Sequence, residues 1–361
     1  MQKLPKRSLQ NLGHLQKGDM DREEFAKRLH TAVVPEGTPQ EKIRTIMYPV
    51  SKAIFEMMPN SLFRYRSLNG SKSDEDQIDA FKNDTIYAVT ADRFNDPYDT
   101  LVRYDKEAIT QYVNIMTSRK SLEGLKAWFE NGNELSDEVK RELPEGMAES
   151  FKENLLAVND FSELENSIEN SRSLMIAQVE TYFPILSEMC KKYSAIACFS
   201  ESVDSMLMWS HYANSHQGFA LEYDFRPTLE KPISNVGIYP VIYDNVRQDV
   251  TQYMVWSFVR MMGIQAANPD CSMYLKIALH KSSVWSYEQE WRMINMIQRD
   301  ITDKNPSTIQ YKPVAIYYGH HISSNRKKEL HQIAQKKGIR EYEMYIDYSS
   351  EQYEMRYRNL D

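Results

Sequence analysis

The sequence predicts an α+β fold in which a mixed sheet is flanked by helices and carries a helical insert. Short apolar or alternating runs typical of strands recur along the chain, and longer amphipathic runs typical of helices separate them without strict alternation. At 361 residues the chain can bury a sizeable core. We expect a helical amino-terminal extension over residues 1–60 and one α+β domain over residues 61–361, with the insert at about residues 105–190.

Composition excludes several classes of protein. No apolar run approaches the roughly 18 residues of a transmembrane helix, and no secretory signal opens the chain, so no membrane partner is expected. Three cysteines without C-x-x-C spacing are too few for a disulfide framework, which predicts a cytoplasmic protein. The net charge of −7 excludes a strong footprint for duplex nucleic acid, but a local basic patch or a small anionic ligand stays open.

The first 60 residues predict helices that pack as an extension of the domain. DREEFAKRL is one helical run, and a longer one follows Thr38. In the longer helix we expect Thr38 as the N-cap, Pro39 at the first helical position and Glu41 as the capping-box partner. Pro49 is expected to kink or divide this helix.

Residues 61–68, SLFRYRSL, alternate as a strand does, with Arg64 and Arg66 on one face and aromatic residues on the other. Two arginines on one strand face commonly belong to a solvated or ion-paired surface. They also suit phosphate, because a guanidinium binds anions through a bidentate fork. Both interpretations stay open at this point.

The loop RFNDPYD follows a predicted helix at residues 75–82 and a predicted strand at residues 85–90. Pro97 holds the preceding residue extended, and Asn95 and Asp96 favour side-chain bonds to nearby backbone groups. The loop is therefore either a rigid turn or a contributor to a site. Residues 107–186 then predict helices, with an exposed insert outside the site.

Residues 195–224 predict strand, helix and strand, and the rest of the fold is organised around them. A buried strand ends at Phe199, a short helix runs to Tyr212, a turn ends at Gly218, and GFALEY forms the second strand. Polar and aromatic groups gather near the first junction, which predicts the floor of a pocket. They are Ser200, Glu201, Trp209, His211 and Tyr212.

The remaining chain predicts a strand, a long helical region and further strands closed by a basic helix. The expected ranges are Gly237–Tyr243 (strand), Asp249–Ser283 (helical), Glu288–Ile297 and Ile309–Tyr318 (strands), Ser323–Lys337 (helix, stopped by Gly338) and Glu341–Ile346 (strand).

Within YEQEWR, a strand conformation would place Glu288, Glu290 and Arg292 on one face. They form either an ion-pair ladder or a carboxylate oriented by the arginine to act as a base or hold a ligand hydroxyl. Trp209 fits core packing as well as a pocket wall, and His211 fits either a base or a hydrogen-bonded helix residue. The histidine pairs lack zinc spacing, so no metal ligand is assigned.

Several motifs in a fixed order resemble a bacterial family labelled domain of unknown function 2971. The motifs are LFRYRS, RFNDPYD, CFSE, MWSHYANSHQGFALEYD, WSYEQEWR and IYYG, from about Leu62 to about Ile346. MWSHYA with its glycine and E-x-E-x-R are specific, whereas IYYG is not. The family label implies kinship and no activity.

The order of these motifs is also similar in outline to ADP-ribosyltransferases. That resemblance implies a split, mostly antiparallel sheet around NAD, with an arginine on the diphosphate or ribose, an aromatic ring on nicotinamide and a glutamate as the catalytic carboxylate. The chain departs from the best-known pattern, since Phe199-Ser200-Glu201-Ser202 stands where Ser-Thr-Ser is expected. The resemblance implies Arg64 or Arg66 on the diphosphate or ribose, Ser200 in the middle segment, Tyr212 or Trp209 on nicotinamide, and Glu290 or Glu288 as the catalytic carboxylate. Together with the residue patterns described above, the catalytic candidates are Glu290, Glu288 and His211, and the NAD-binding candidates are Arg64, Arg66, Asn95, Asp96, Ser200, Trp209, Tyr212 and Arg292.

Two other classes of function stay open. Asp96, Asp99, Glu288 and Glu290 would suit a magnesium-dependent phosphodiesterase or nuclease. The same arginines and aromatic residues would also suit a non-catalytic nucleotide sensor in phage defence or stress response. The expected partner is a nucleotide or small-molecule ligand, and the acceptor of a transfer reaction is left open among nucleic-acid bases, proteins and small molecules.

Overall fold

The structure of the protein, a computed structural model, describes residues 21–70, 73–135, 146–230, 236–261, 270–296 and 307–360. Within these ranges a mixed sheet and surrounding helices form one layered assembly, and the predicted α+β class is confirmed. No helix in the same ranges has the length and apolar character needed to cross a membrane.

Twelve strands are assigned within the described ranges. They are β1 (Leu62–Arg66), β2 (Thr85–Thr90), β3 (Ser194–Ser200), β4 (Phe219–Tyr223), β5 (Val236–Pro240), β6 (Ile242–Asp244), β7 (His280–Ser282), β8 (Glu290–Met296), β9 (Ser307–Gln310), β10 (Ala315–Tyr318), β11 (Arg340–Tyr345) and β12 (Arg356–Asn359).

The α-helices of the same ranges are α1 (Arg22–Thr31), α2 (Gln40–Met57), α3 (Ser73–Lys82), α4 (Lys106–Met116), α5 (Arg119–Glu130), α6 (Met147–Ala157), α7 (Phe161–Lys191), α8 (Met206–Tyr212), α9 (Arg226–Glu230), α10 (Thr251–Met261), α11 (Met273–Leu279) and α12 (Ser324–Lys337). Two short 3₁₀ helices cover Ala91–Arg93 and Ser283–Glu288.

The main sheet is mostly antiparallel, as predicted. Its strands lie in the order β12-β11-β10-β4-β1-β3-β2-β9, and β8 joins β3 to β5. β10 and β11 form the parallel pair of this sheet, and the other pairs in it are antiparallel. A separate parallel pair, β6 and β7, lies beside it.

The sheet is split beside β3. Because β8 pairs with β3 from Ser194 to Ser200, β1 and β2 must share the opposite edge of β3. β1 reaches that edge at Ser200, and β2 reaches it at Ala195 and Ile196, so the two strands diverge between these points. Arg64 crosses the gap, where its Nη2 donates to the Tyr87 carbonyl of β2 at 2.6 Å.

Helices α1 and α2 pack into the main core. Phe25, Leu29, Val50 and Ala53 are fully buried against the sheet. Arg22 donates from Nη1 to the backbone carbonyls of Val241 and Glu290, each at 2.8 Å, and from Nη2 to Glu201 at 2.6 Å. Glu201, expected at the pocket floor, also accepts from the Trp291 indole and therefore joins α1 to β8.

The capping of α2 differs from the prediction. Pro39 occupies the N-cap and makes no side-chain cap bond, while the Thr38 hydroxyl donates backwards to the Pro35 carbonyl at 2.6 Å. The Thr38 side chain is therefore engaged in the preceding turn. The helix also continues through Pro49 without a break.

The helices of the insert bury a small core of their own. Leu122, Phe129, Leu135, Ala148 and Leu155 form a cluster separate from the main core. The segment predicted as an exposed insert includes residues 136–145, which lie outside the described residues.

Three predicted ranges in the carboxyl-terminal half are corrected. The range 249–283, predicted as helical throughout, contains the two helices α10 and α11 and the strand β7. Residues 262–269 of this range lie outside the described residues. The predicted strand at 309–318 forms two strands, because Pro313 has no N–H to donate to a ladder. β8 begins at Glu290, since Gln289 is left-handed with φ of 46°.

The basic helix near the carboxyl terminus matches its prediction. The Ser323 side chain accepts from the Arg326 backbone N–H at the start of α12, and Gly338 ends the helix with φ of 62°. Strand β12 follows it and pairs with β11, although the sequence did not lead us to expect it.

Gly218 is required by a close approach of two chain segments. A Cβ at this position would lie 1.9 Å from the Arg66 carbonyl oxygen of β1. We expect Gly218→Ala to lower the free energy of unfolding by about 1–3 kcal/mol in urea denaturation, because backbone must move. The control is Gly124→Ala in α5, where a Cβ meets no atom within 4 Å, and we expect it to stabilise slightly. Equal stability of the two variants would contradict this prediction.

Candidate active site

The split in the sheet opens into a cavity of about 190 Å³. Arg64 and Arg66 of β1 line it, and so do Lys281, Glu288 and Glu290 from the other end of the chain. Cationic and anionic groups that are distant in sequence therefore lie around one space.

The arginine pair and the side chain of Glu290 reach the cavity from opposite faces of the sheet. Ser200 pairs with both Phe63 and Glu290, so these three side chains project to one face. Arg64, next to Phe63, projects to the other face, where its guanidinium lies 5.5 Å from the centre of the Phe199 ring. The split allows both faces to contribute to the same cavity.

The positive charge of the arginine pair is not neutralised by any acidic side chain in the described ranges. Arg64 Nη1 is buried without a hydrogen-bond partner. Arg66 forms no hydrogen bond or ion pair with any part of the chain that the structure describes. Burial lowers the pKa of both guanidiniums, and the like charge of Arg64 lowers the pKa of Arg66 further. An anion bound here would relieve that unfavourable charge.

Opposite this pair, Lys281 is the centre of a buried charge network. Its Nζ lies 2.6 Å from Glu288 Oε2, 2.9 Å from Glu290 Oε2 and 3.7 Å from Asp99 Oδ2. Arg292 lies behind them, with Nε 2.8 Å from Glu290 Oε1 and Nη2 2.6 Å from Asp99 Oδ2. The exposed fraction of each of these five residues is 7% or less. Three acids and two bases leave a formal excess of one negative charge when all are ionised.

The two glutamates differ in their proton affinity. Burial opposes the ionised form of Glu290, but Arg292 and Lys281 outweigh it and hold the pKa of Glu290 well below its usual range. Burial raises the pKa of Glu288, which has Lys281 as a partner and Glu290 as a neighbouring like charge. Glu290 is therefore a fixed anion, and Glu288 is the more readily protonated of the two.

Two further contacts orient Glu288. The Tyr212 hydroxyl donates to Glu288 Oε1 at 2.6 Å, and Ser200 Oγ donates to the Glu288 backbone carbonyl at 2.7 Å. Glu288 ends a 3₁₀ helix and is not part of β8, which corrects the prediction of three side chains on one strand face. The left-handed turn at Gln289 and the shared Lys281 bring the two glutamates together.

Of the candidates from the sequence, seven line this cavity. They are Arg64, Arg66, Asn95, Ser200, Tyr212, Glu288 and Glu290. Their roles stay predictions, since position alone assigns none.

Four candidates do not line this cavity. Trp209 is fully buried, with its indole N–H donating to the Val203 carbonyl at 2.6 Å, so it cannot stack on a ligand. His211 is exposed and does not line the cavity. Asp96 lines a neighbouring cavity, where its Oδ1 accepts from the Tyr98 backbone N–H. Arg292 is wholly buried and acts on Glu290, so it does not touch a ligand in the cavity.

Sequence reasoning missed Lys281, the residue that holds the network together. Lys281 falls in a run predicted as helical, whereas the structure places it in β7. No local pattern marks it, because its two glutamate partners follow seven and nine residues later across a turn. Asp99 was noted only as a possible magnesium ligand, yet it pairs with Arg292 and Lys281.

The network also bears on the magnesium alternative. The carboxylates of Asp99, Glu288 and Glu290 converge on the ammonium of Lys281, which occupies the position that a cation would need. Within the described residues, no group of three or more His, Cys, Asp or Glu side chains is arranged to hold a metal ion. Three of the four carboxylates of the magnesium alternative are therefore engaged by Lys281, and that alternative stays a prediction.

Part of the chain matches a known protein family. Residues 208–293 match the family described as "Protein of unknown function (DUF2971)". This match confirms the predicted family resemblance within residues 208–293, whereas the motifs outside this range and a bacterial origin stay predictions. The matched segment contributes Tyr212, Lys281, Glu288 and Glu290 to the cavity, while the arginine pair lies before it. No curated protein and no solved structure matches the chain.

Proposed function

We propose that this cavity binds NAD and that the protein is an ADP-ribosyltransferase-like enzyme. One observation carries the proposal: Arg64 and Arg66, which lack an anionic partner, line the same cavity as two glutamates with opposite pKa shifts. The unpaired arginines suit the negative charge of a diphosphate. The paired glutamates suit the departure of nicotinamide from ribose, in which positive charge develops on the ribose.

Groups with unused hydrogen-bonding capacity match the parts of NAD. Arg64 Nη1 is a buried donor without a partner and suits a diphosphate oxygen. Asp99 Oδ1 is a buried acceptor without a partner and suits a ribose hydroxyl. The Tyr212 ring supplies a stiff stacking surface for nicotinamide. A cavity of about 190 Å³ is smaller than those that enclose whole ligands, so it takes one end of the dinucleotide.

The paired glutamates suit the chemistry of transfer. When the bond between nicotinamide and ribose C1′ breaks, nicotinamide leaves with the bonding electron pair and positive charge develops on the ribose. Glu290, held ionised by Arg292 and Lys281, stabilises that charge. Glu288 takes the proton that the acceptor loses as it bonds to C1′. Cys190 and Cys198 are not in disulfides, and the proposal places this reaction in the cytoplasm.

A second candidate is a nucleotide sensor that binds without turnover. Both Glu290 oxygens already accept hydrogen bonds from Arg292 and Lys281. A carboxylate so fully engaged is less available to a reacting ribose, which favours a binding role. Calorimetry together with a turnover assay distinguishes the two candidates, because the sensor binds NAD but releases no nicotinamide.

The test compares NAD affinity and nicotinamide release in wild type and Arg66→Gln. Loss of one charge-assisted contact to the diphosphate should raise the Kd for NAD by about 10- to 100-fold in calorimetry. Nicotinamide release is measured by chromatography with cell lysate as the source of acceptors.

The matched control is Arg119→Gln in α5, which removes an exposed arginine whose partner is Glu123. It should leave the Kd for NAD unchanged. Thermal unfolding of each variant verifies that the fold is retained. Absence of NAD binding by wild type, or equal Kd values in wild type and Arg66→Gln, would overturn the proposal.

A further inference from the structure

A second cavity adjoins the first one at Lys281. Its volume is about 370 Å³, and Lys281 lines both cavities. Lys281 is therefore the side chain that the two linings share, and it pairs with Glu288 and Glu290, the proposed reacting carboxylates. A group held in the second cavity lies next to the charge network of Lys281.

The second cavity presents aromatic and apolar side chains at its mouth. Tyr98 is 65% exposed, Val284 is 75% exposed, and Trp285 is half-buried beside Lys281, with Nζ 5.2 Å from its ring centre. Exposed apolar side chains around a concavity are typical of a binding site. Two stiff aromatic rings favour a planar ligand that stacks.

Polar groups deeper in the cavity can recognise the edge of such a ligand. His280 is 8% exposed, and its Nδ1 lies 2.7 Å from the Lys276 carbonyl, which can only accept. Nδ1 therefore carries the proton, and Nε2 is an acceptor with no partner among the described residues. Burial lowers the pKa of His280, which keeps the ring neutral. Asp96, 9% exposed, uses Oδ1 for the Tyr98 N–H and keeps its second oxygen for a donor.

Charges of both signs line this cavity. Asp96 and Asp244 are acidic and Arg247 and Lys281 are basic, while Lys281 is already paired in the network described above. A lining of both signs suits a polar neutral ligand, and the positive charge of Arg247 opposes a cation such as a guanidinium. A nucleobase is such a ligand, because it is neutral and planar and can donate hydrogen bonds from its edge.

We infer that the second cavity binds a nucleobase and is the acceptor subsite of the transfer reaction. The acceptor role depends on the proposed function, whereas nucleobase binding in this cavity does not. A base bound in this cavity lies beside Lys281, which also lines the cavity that contains the arginine pair.

The test titrates the full chain with adenosine, guanosine, cytidine, uridine and agmatine in a calorimeter. At least one nucleoside should bind, and Trp285→Leu and Tyr98→Leu should each raise its Kd by about fivefold or more, as expected for loss of base stacking. Tyr348→Leu, which truncates a tyrosine that is 89% exposed and lines neither cavity, is the control and should leave the Kd unchanged. The Kd for NAD should stay within about twofold of wild type in all three variants.

Four results would overturn the inference. They are binding of no nucleoside, preference for agmatine, unchanged nucleoside binding in both cavity variants, and loss of NAD affinity in Trp285→Leu. The last result would mean that the cavity holds a base of NAD itself. Nucleoside binding without any NAD binding would instead reject the proposed function and keep nucleobase recognition.

Discussion

Replacing Arg292 by methionine should lower the free energy of unfolding by about 3–5 kcal/mol, as measured by urea denaturation at neutral pH. The guanidinium is fully buried and bonds Glu290, Asp99 and the Ala278 carbonyl. Methionine fills much of the same space but leaves two buried carboxylates without this partner. The cost arises from that uncompensated charge and not from a cavity.

The pH dependence of the stability lost in Arg292→Met tests whether the loss arises from an uncompensated buried charge. In wild type the pKa of Glu290 is lowered in the folded state, so its contribution to stability is present above the unfolded value of 4.5 and disappears as the pH falls through the folded value. The difference in unfolding free energy between wild type and Arg292→Met should therefore become smaller as the pH falls toward 4.5, because protonation of Glu290 removes the buried charge in the variant. Arg358→Met, which breaks an exposed pair with Glu343, should cost about 0–1 kcal/mol at any of these pH values. If the difference in unfolding free energy between wild type and Arg292→Met stays constant from neutral pH to pH 4.5, the loss does not arise from a buried charge.

Glu288→Gln should lower the rate of nicotinamide release by about 10²- to 10⁴-fold, the range for loss of a general base. Burial raises the pKa of Glu288, and only the ionised form can take a proton from the acceptor. Wild-type turnover should therefore fall as the pH drops through a value above the ordinary 4.5 of glutamate. The variant should lack this acidic limb in its pH profile of kcat.

Tyr212→Phe is the companion variant for this second prediction. It keeps the ring but removes the hydroxyl that donates to Glu288 and stabilises its ionised form. We expect the acidic limb to move to higher pH, whereas NAD affinity changes little. If Glu288→Gln retains both the wild-type rate and the acidic limb, the assignment of Glu288 as the base is wrong.

Local patterns predicted those parts of the fold whose partners lie nearby. The alternation around Arg64 gave β1, and Ser323 and Gly338 marked both ends of α12, because a strand face and a helix cap depend on adjacent residues. Trp209 was ambiguous in sequence, since the same residue type suits a core and a pocket wall. Its bond to Val203 settles that question only in three dimensions.

The centre of the site depends on contacts that sequence patterns do not encode. Lys281 meets Asp99 only because the RFNDPYD loop and β7 fold against the same end of β8. The placement of Glu288 depends on a left-handed Gln289, a conformation that residue type alone does not predict. The motif order nevertheless indicated which segments would meet at the cavity.

The bond from Arg22 to the Glu290 carbonyl spans 268 residues of sequence. Helix α1 is thus hydrogen-bonded to β8, the strand that carries Glu290. Glu201 adds a second link between them, because it accepts hydrogen bonds from both Arg22 and the Trp291 indole. Loosening of that first helix, by ligand or partner, would be transmitted to the backbone of β8 without any rearrangement inside the cavity. The first helix is thereby tied directly to the strand that carries Glu290.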